Sequence, residues 1–220
     1  MKAFILNNKK PLLFLIISVV CLSIGSIFFL PYTVNALLQN VPAKWHEYLF
    51  SILLSGLGLT GMILFLFQIR SEKTGNGSFF GKILLWGAIS LVSILLISLI
   101  MGVIAEILYS TIETSFDNIK FAVSAITKIL FVFAAPIVLW GFSNIIYNND
   151  FKQVLKHLKS GYLKILMMVI GANVLTVIAS IAGNSLLGLI LQCLISIVTG
   201  VFVIVWAVYC CGEVQKERTE

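Results

Sequence analysis

Two charged residues stand out because they lie inside long apolar runs, where a charge is costly. Lys128 lies about eight residues into the run 121–147, and Glu106 lies near the end of the run 83–109. An ammonium and a carboxylate at similar depth can pair and join two helices, and a buried ammonium can also hold an anionic group. A lysine near a helix end can instead extend its long stem to the boundary. The sequence predicts a Lys128–Glu106 ion pair as the first candidate site.

Three further residues are unusual in their apolar surroundings. Pro136 lies eight residues beyond Lys128 in the same run, and its missing N–H is expected to kink that helix. Asn173 and Gln192 lie near the middle of two later apolar runs. Such amides most often form hydrogen bonds between helices, and the alternative is that they line a polar path. A kinked helix beside a buried lysine favours a ligand cavity, so these residues join the candidate site.

Catalytic and metal-binding patterns have little support. The two histidines, His46 and His157, are far apart, and the sequence has no HExxH motif and no paired aspartates. The four cysteines have no zinc-ligand spacing and are Cys21, Cys193, Cys210 and Cys211. The vicinal pair could carry a lipid, whereas free cysteines in apolar helices are most often simply buried. The sequence therefore predicts a protein that is not an enzyme and that needs no metal and no cofactor.

The composition of the chain indicates the class of protein in which these residues lie. Of the 220 residues, 60% are hydrophobic and 11% are charged, and the mean hydropathy is +1.06. A soluble domain has about 45–50% apolar and about 25% charged residues, so this chain has too few polar residues to cover a water-facing surface. That excludes a soluble enzyme, a free DNA-binding domain and a disordered tail. It leaves an integral membrane protein whose first partner is the lipid bilayer.

Six apolar runs approach the length of about 20 residues that a helix needs to cross a bilayer. No alternation of polar and apolar residues predicts strands, and helices satisfy their own backbone groups in lipid. The predicted fold is an all-α, polytopic membrane protein, with one domain over residues 1–220 and six transmembrane helices. The predicted spans are 11–30, 48–68, 83–109, 121–147, 163–183 and 185–211.

The distribution of Lys and Arg predicts the orientation of the chain. Twelve of the 15 basic residues fall at the N-terminus, in the second and fourth loops and in the C-terminal tail, and three fall on the other side. Cytoplasmic loops carry such an excess, which predicts both termini in the cytoplasm. The same bias accounts for the net charge of +6, so nucleic-acid binding is not expected.

The basic segment between the fourth and fifth spans predicts a short cytoplasmic amphipathic helix over 150–159. Its apolar residues recur at i, i+3, i+4 and i+7 and are Phe151, Val154, Leu155 and Leu158. The lysines that point away from this stripe are Lys152, Lys156 and Lys159. Such a helix lies in the headgroup layer. It is either a plain connector or a docking site for a cytoplasmic partner, with the three lysines as the candidate contacts.

Small residues predict where helices approach one another closely. The segment 56–61 matches the dinucleotide-binding pattern GxGxxG, but that fingerprint needs a preceding strand and a soluble domain. Within the second span it instead predicts a close-packing face. On the fifth span, Ala172, Thr176 and Ser180 form a second stripe of small residues at four-residue steps, which also favours close contact.

The order of features in the last part of the chain resembles a known architecture. A helix with Pro136 leads into the turn Asn148-Asn149-Asp150, the basic segment 151–156, the sequence Ser160-Gly161-Tyr162-Leu163-Lys164 and a hairpin that turns at Gly183-Asn184. This third of the chain resembles the six-helix bacterial membrane domains of uncharacterised function, among them the domain attached to some glycerophosphodiester phosphodiesterases. The resemblance implies the six-helix fold and carries over no site residues. The phosphodiesterase chemistry of those enzymes belongs to a separate soluble domain.

The leading functional prediction is a transport-associated subunit or carrier for a small or anionic ligand, located in the bacterial cytoplasmic membrane. Its cavity is expected near Lys128, Glu106, Asn173 and Gln192. One alternative is a membrane-embedded interaction protein, such as an immunity factor or an assembly chaperone, which would use the small-residue stripe as its partner face. The other is a permease subunit driven by a separate ATPase, because the chain has no P-loop of its own.

Overall fold

The computed structural model describes residues 8–29, 45–70, 76–111, 116–147, 151–181 and 186–216. Every regular element within these residues is helical, as the all-α prediction requires. Helix α1 (Lys9–Ile24) continues into a π-helical turn (Gly25–Phe29). The other helices are α2 (Trp45–Ile69), α3 (Asn76–Thr111), α4 (Phe116–Ile146), α5 (Phe151–Lys156), α6 (Leu158–Ser180) and α7 (Leu186–Lys216).

Six of these helices are long and apolar enough to cross a membrane. The segments that meet this test are Lys9–Ile27, Leu49–Ile69, Ser78–Leu108, Ala125–Ile146, Gly161–Ala179 and Leu187–Val214. Each overlaps one predicted span, and the ends differ by at most five residues. The chain is therefore a multi-pass membrane protein. The cytoplasmic placement of both termini stays a prediction from the charges.

Consecutive spanning helices pair as three hairpins. Helix α1 packs on α2, α3 packs on α4 and α6 packs on α7, while α4 also contacts α6 and α7 and joins the second hairpin to the third. Because neighbours in each hairpin run in opposite directions, Arg70, Lys82 and Lys164 lie at one end of the bundle. This end is called the basic end below, and the opposite end is called the distal end.

The first hairpin depends on very close packing of α1 on α2. Ser18 of α1 is fully buried, and its hydroxyl donates a hydrogen bond to the Gly58 carbonyl. A Cβ at Gly58 would overlap an α1 side chain, and a Cβ at Gly61 would lie 3.0 Å from both the Phe14 carbonyl oxygen and the Ser18 Cβ. Glycine lets the two backbones approach to this distance. The close-packing face predicted for the segment 56–61 is thereby confirmed at Gly58 and Gly61, whereas a Cβ at Gly56 would meet no atom within 4 Å.

At the basic end, aromatic rings fill the space over glycines of neighbouring helices. The Trp86 ring of α3 lies against Gly141 of α4, and the Trp140 ring of α4 lies against Gly161 of α6. A Cβ at either glycine would overlap the ring. Both tryptophans belong to one hydrophobic core to which all seven helices contribute. This core fixes the helices to one another at the basic end.

A third ring lies against a glycine where α4 ends. Tyr147 directly follows the spanning segment Ala125–Ile146, and its hydroxyl donates to the Val208 carbonyl of α7 at 3.4 Å. A Cβ at Gly212 would lie 2.6 Å from the Tyr147 hydroxyl oxygen. Burial, and to a smaller extent the nearby Cys211 thiol, raises the pKa of Tyr147 to about 12. The phenol therefore stays protonated at physiological pH and keeps its role as a donor.

Beyond this core, the helices expose apolar side chains. On α3, Leu91, Leu95 and Leu99 have exposed fractions of 60%, 59% and 67%. A contiguous apolar surface of this kind would drive aggregation in water. In a bilayer the same side chains contact lipid tails, which agrees with α3 as a peripheral helix that packs mainly on α4.

The connector between α4 and α6 differs from its prediction. A single amphipathic helix is expected over 150–159, whereas α5 covers only Phe151–Lys156, the chain turns at His157, and Lys159 belongs to the spanning helix α6. The three lysines predicted to point outward are exposed, namely Lys152, Lys156 and Lys159. The predicted helix is therefore divided between a short connector and the start of a span.

The division of this helix has a physical cause. The Trp140 indole Nε1 of α4 donates a hydrogen bond of 3.0 Å to the Val154 carbonyl. In a continuous helix that carbonyl would accept from the Leu158 N–H, four residues later. The Val154 side chain is buried in the same core. Helix α5 is thus docked on the bundle by a hydrogen bond and by an apolar contact.

Candidate functional site

Polar residues of the spans come together at a cleft among α4, α6 and α7. The cleft has a volume of about 290 Å³. Its polar residues are Asn173 and Thr176 on α6 and Ser196 and Thr199 on α7. Apolar side chains complete the wall, among them Ala135 and Leu139 of α4. Of the predicted site residues, Asn173 is the one that lines this cleft.

The cleft lies near the middle of the membrane. Asn173 lies twelve residues into the spanning segment Gly161–Ala179, or about 18 Å along the helix at 1.5 Å per residue. Ser196 lies nine residues into the segment Leu187–Val214 from the opposite end, or about 14 Å. Polar groups at this depth are expensive in lipid, so their grouping indicates either helix pairing or contact with a ligand.

The hydrogen bonds of three cleft residues stay within their own helices. Thr176 Oγ1, Thr199 Oγ1 and Asn173 Nδ2 each donate to the carbonyl four residues earlier in their own helix, at 2.9, 2.8 and 2.8 Å. These bonds do not tie α6 to α7. The two threonine hydroxyl hydrogens are used, whereas the threonine oxygens and the Asn173 side-chain oxygen keep lone pairs that can accept, and Asn173 Nδ2 keeps a second N–H that can donate. The cleft is therefore rich in acceptors.

The absence of charged side chains from the cleft wall limits the class of ligand that the cleft can bind. The side chains that line it are polar or apolar, and none of them is a Lys, Arg, Asp or Glu. An anion would find no cation there to balance its charge, which is unfavourable in a low-dielectric medium. A small neutral molecule with hydroxyl or amide N–H donors would instead satisfy the acceptors. The wall residues Ala135 and Leu139 would contact its apolar part.

Lys128 and Glu106 are not brought together by the structure. Both are exposed, and no ion pair joins them in the part of the chain that the structure describes. The contact of Trp86 with Gly141 fixes the register of α3 on α4, so Glu106 lies level with residue 121 rather than with Lys128. The offset of seven residues corresponds to about 10 Å along the helix axis.

Two predicted residues lie on the distal side of the cleft without lining it. Gln192 is one helical turn from Ser196 on α7, and Lys128 is about two turns from Ala135 on α4. Both distances follow from 3.6 residues per turn. The structure therefore separates the predicted amide and ammonium from the polar group that surrounds Asn173.

Pro136 is buried directly beside the cleft residue Ala135. Helix α4 continues through this proline, although the ring removes one backbone donor and disturbs the preceding turn. The Tyr162 hydroxyl of α6 donates at 3.1 Å to the Phe133 carbonyl, three residues before Pro136. A neighbouring helix thus supplies a donor to the disturbed backbone, which is how membrane helices tolerate proline.

A second, larger space lies next to the cleft. It has a volume of about 310 Å³ and is bounded by α2, α3, α4 and α7. Its wall is apolar except for Ser143, whose hydroxyl donates to the Leu139 carbonyl at 2.7 Å. Leu139 and Ile204 line both spaces and form the partition between them. This space is called the apolar cavity below.

The chain has no match in the comparisons with known proteins. No family model matches it, and neither a curated protein nor a solved structure matches it. The resemblance to six-helix bacterial membrane domains therefore stays a prediction from the order of hydropathy and charge.

The remaining reactive side chains are not gathered into a site. Within the described ranges, no group of three His, Cys, Asp or Glu residues could hold a metal ion. The vicinal pair Cys210 and Cys211 is buried, with exposed fractions of 2% and 1%. Burial in the core makes both thiols poor acceptors for a lipid and favours their interpretation as small packing residues.

Proposed function

We propose that this protein is a transport-associated membrane protein, with no enzymatic activity of its own, that carries a small neutral ligand through the cleft among α4, α6 and α7. The observation that supports this most is the group of polar side chains at mid-membrane, in which the Thr176 and Thr199 hydroxyl hydrogens are already used within their own helices while the oxygens can still accept. Such groups are costly in lipid and contribute when a ligand supplies donors. On the charge bias of its loops, we expect the protein in a bacterial cytoplasmic membrane, with both termini in the cytoplasm.

The small-residue stripe of α6 supports a carrier over an interaction protein. Ala172 and Thr176 of this stripe line the cleft that faces α7, and Ala179 is buried. Because α7 packs on α6 and covers part of this face, an immunity factor or assembly chaperone would have only the open side of the cleft to contact.

The connector favours a second candidate, the permease subunit driven by a separate ATPase. The Trp140 indole donates to the Val154 carbonyl of α5, and the preceding residue of α4, Leu139, lines the cleft. A partner that moved α5 through its exposed lysines would thereby move a wall of the cleft. The predicted observation is a soluble ATPase that co-purifies with the wild type and is lost when Lys152 and Lys156 are both changed to Glu.

The ligand hypothesis is tested by removing the acceptors without changing the shape of the cleft. We expect the double variant Thr176→Val/Thr199→Val to retain about tenfold less co-purifying ligand than the wild type, because each hydrogen bond contributes about 0.5–1.5 kcal/mol. The measurement is mass spectrometry of the small molecules released from protein purified in native-lipid particles. Thr127→Val is the matched control, because Thr127 donates to its own helix at 2.7 Å and lies outside the cleft.

Two outcomes would contradict this proposal. Equal amounts of every small molecule in the double variant and in the Thr127→Val control would remove the cleft as the binding site. If only Lys128→Met reduced the amount of co-purifying ligand, the ligand would instead bind near the distal end, as the charge of Lys128 predicts.

A further inference from the structure

The cleft among α4, α6 and α7 has one side that faces lipid. Asn173 lies at the rim of the cleft and is exposed, although it is near the middle of the membrane. The residues about one turn before and after it, Ile170 and Val177, are also exposed, at 39% and 57%. Residues three and four apart share a helix face, and apolar side chains on this face contact lipid tails. The cleft therefore opens sideways into the bilayer.

Buried side chains flank the cleft along both α6 and α7. One turn beyond it towards the basic end, Ile165 of α6 and Ala207 of α7 are fully buried. One turn beyond it towards the distal end, Ala179 of α6 and Cys193 of α7 have exposed fractions of 3% and 7%. This arrangement favours entry of a ligand from the bilayer over entry from either aqueous side.

The apolar cavity on the other side of Leu139 and Ile204 does not bring water to the cleft. Among the residues that the structure describes, its wall is apolar except for Ser143, whose hydroxyl already donates to the Leu139 carbonyl. A buried water needs two to four polar partners, which this wall does not offer. A ligand that comes to the cleft sideways must therefore be soluble in lipid.

We infer that the ligand of the cleft is a neutral amphiphile with a hydroxylated head and an apolar chain, which enters from the bilayer. This inference rests on the proposed function, since it concerns the same cleft. The hydroxyl groups of the head donate to the oxygens of Thr176 and Thr199, whose own hydrogens are used within α6 and α7. An oxygen at the junction of head and chain accepts the second N–H of Asn173 at the rim. The chain stays in the lipid beside Ile170 and Val177.

Size and charge agree with a head of this class. The cleft volume of about 290 Å³ has room for about ten groups of the size of a water molecule, at about 30 Å³ each. A glycerol ester has fewer non-hydrogen atoms than this in its head, with two hydroxyl groups as donors and ester oxygens as acceptors. Its lack of charge suits a wall whose described side chains include no Lys, Arg, Asp or Glu.

The test uses defined lipid probes on the full chain. The protein is reconstituted in phosphatidylcholine nanodiscs that contain a small fraction of a monoacylglycerol with a diazirine in its acyl chain near the ester, and cross-linked residues are mapped by mass spectrometry. The comparison probe is the methyl ester of the same photoreactive fatty acid, which lacks the hydroxyl groups. We expect the monoacylglycerol to label Ile170 and Val177 about tenfold more strongly, because each of its two hydrogen bonds contributes about threefold in affinity.

Threonine variants test the acceptors without changing the shape of the cleft. Thr176→Val/Thr199→Val should reduce labelling by the monoacylglycerol to the level of the methyl ester. Thr127→Val, outside the cleft, should leave the tenfold preference unchanged. Equal labelling by the two probes in the wild type would overturn the inference, as would a double variant that keeps the preference.

Competition with glycerol separates this inference from the proposed function. Glycerol has the hydroxyl groups without the chain, and at millimolar concentration it should not reduce labelling by the monoacylglycerol. Full competition by glycerol would overturn entry from the bilayer and would leave the cleft as a site for a small neutral ligand. If neither probe labels the rim, the inference fails, and the co-purification test of the Thr176→Val/Thr199→Val variant decides the proposed function by itself.

A second copy of the chain is the other molecule that could cover the exposed amide, because a polar residue in the membrane can join two helices. Asn173→Cys measures this directly. We expect it to form no more disulfide-linked dimer on mild oxidation than the wild type does. Efficient dimer formation by this variant would show that a second copy covers the rim and would overturn the inference.

Discussion

Replacement of Gly161 by alanine is expected to destabilise the protein by about 2–4 kcal/mol, although it adds one methyl group. The new Cβ would overlap the Trp140 ring, which is 1% exposed and held by its hydrogen bond to the Val154 carbonyl. A ring fixed in this way cannot turn aside. Overpacking costs about 1–3 kcal/mol, and loss of the indole hydrogen bond costs about 0.5–1.5 kcal/mol more. Thermal unfolding in detergent micelles measures the change.

The same helix provides the control for this prediction. A Cβ at Gly171 of α6 meets no atom within 4 Å, so Gly171→Ala is expected to leave stability unchanged or to raise it, since alanine favours helices more than glycine does. Hydrogen exchange separates a local effect from a general one, because Gly161→Ala should release the amides of α5 first. Equal stability of the two variants would show that the Trp140 contact does not hold the connector.

This prediction depends on a contact that no local sequence pattern encodes. The lysines and apolar residues of 150–159 have helical spacing, which predicts one amphipathic helix. The hydrogen bond that divides it joins Trp140 to Val154, 14 residues apart, through a side chain on another helix. Length and composition are enough to predict spans, because crossing a bilayer demands about 20 apolar residues. The docking of a connector depends on which side chains meet, and apolar helices do not show this in their sequence.

The candidate site is likewise only partly predictable from the sequence. Asn173 is recognisable as an amide in an apolar run, and it does line the cleft. Ser196 and Thr199 are missed because single hydroxyl residues are common in membrane helices. Their signal is a spacing of three residues on one helix face. Recognising it requires knowledge of which face turns towards α6.

The separation of Lys128 and Glu106 is larger than the predicted spans suggest, because those spans place the two residues seven and three residues from the adjoining ends, an offset of only four residues. In an antiparallel hairpin, residues equally far from the turn lie at equal depth. Glu106 lies five residues before the end of α3, whereas Lys128 lies twelve residues after the start of α4. The difference of seven residues is the offset of about 10 Å that the structure gives. Similar depth within separate apolar runs is therefore a weaker guide than distance from a shared turn.

The second large effect is expected at the first hairpin, where Gly61→Leu should separate α1 from α2. A Cβ at Gly61 would lie 3.0 Å from the Phe14 carbonyl oxygen and 3.3 Å from the Ser18 Cα. These are backbone atoms, so α1 must move as a whole, and the bond from Ser18 to the Gly58 carbonyl is lost with it. We expect a loss of about 3 kcal/mol, as overpacking and one buried hydrogen bond together predict.

A disulfide reports this separation directly. A Cβ at Gly25 would lie 3.5 Å from the Leu54 Cβ, within the range of about 3.5–4.5 Å for a disulfide. In a Cys21→Ala background, the pair Gly25→Cys/Leu54→Cys should therefore cross-link on mild oxidation, and addition of Gly61→Leu should prevent it. Gly56→Leu adds the same side chain to α2 where a Cβ meets no atom within 4 Å, so it should leave the cross-link intact. Efficient cross-linking in the presence of Gly61→Leu would mean that α1 accommodates a leucine there, and that glycine at 61 is not required for the close approach of the two helices.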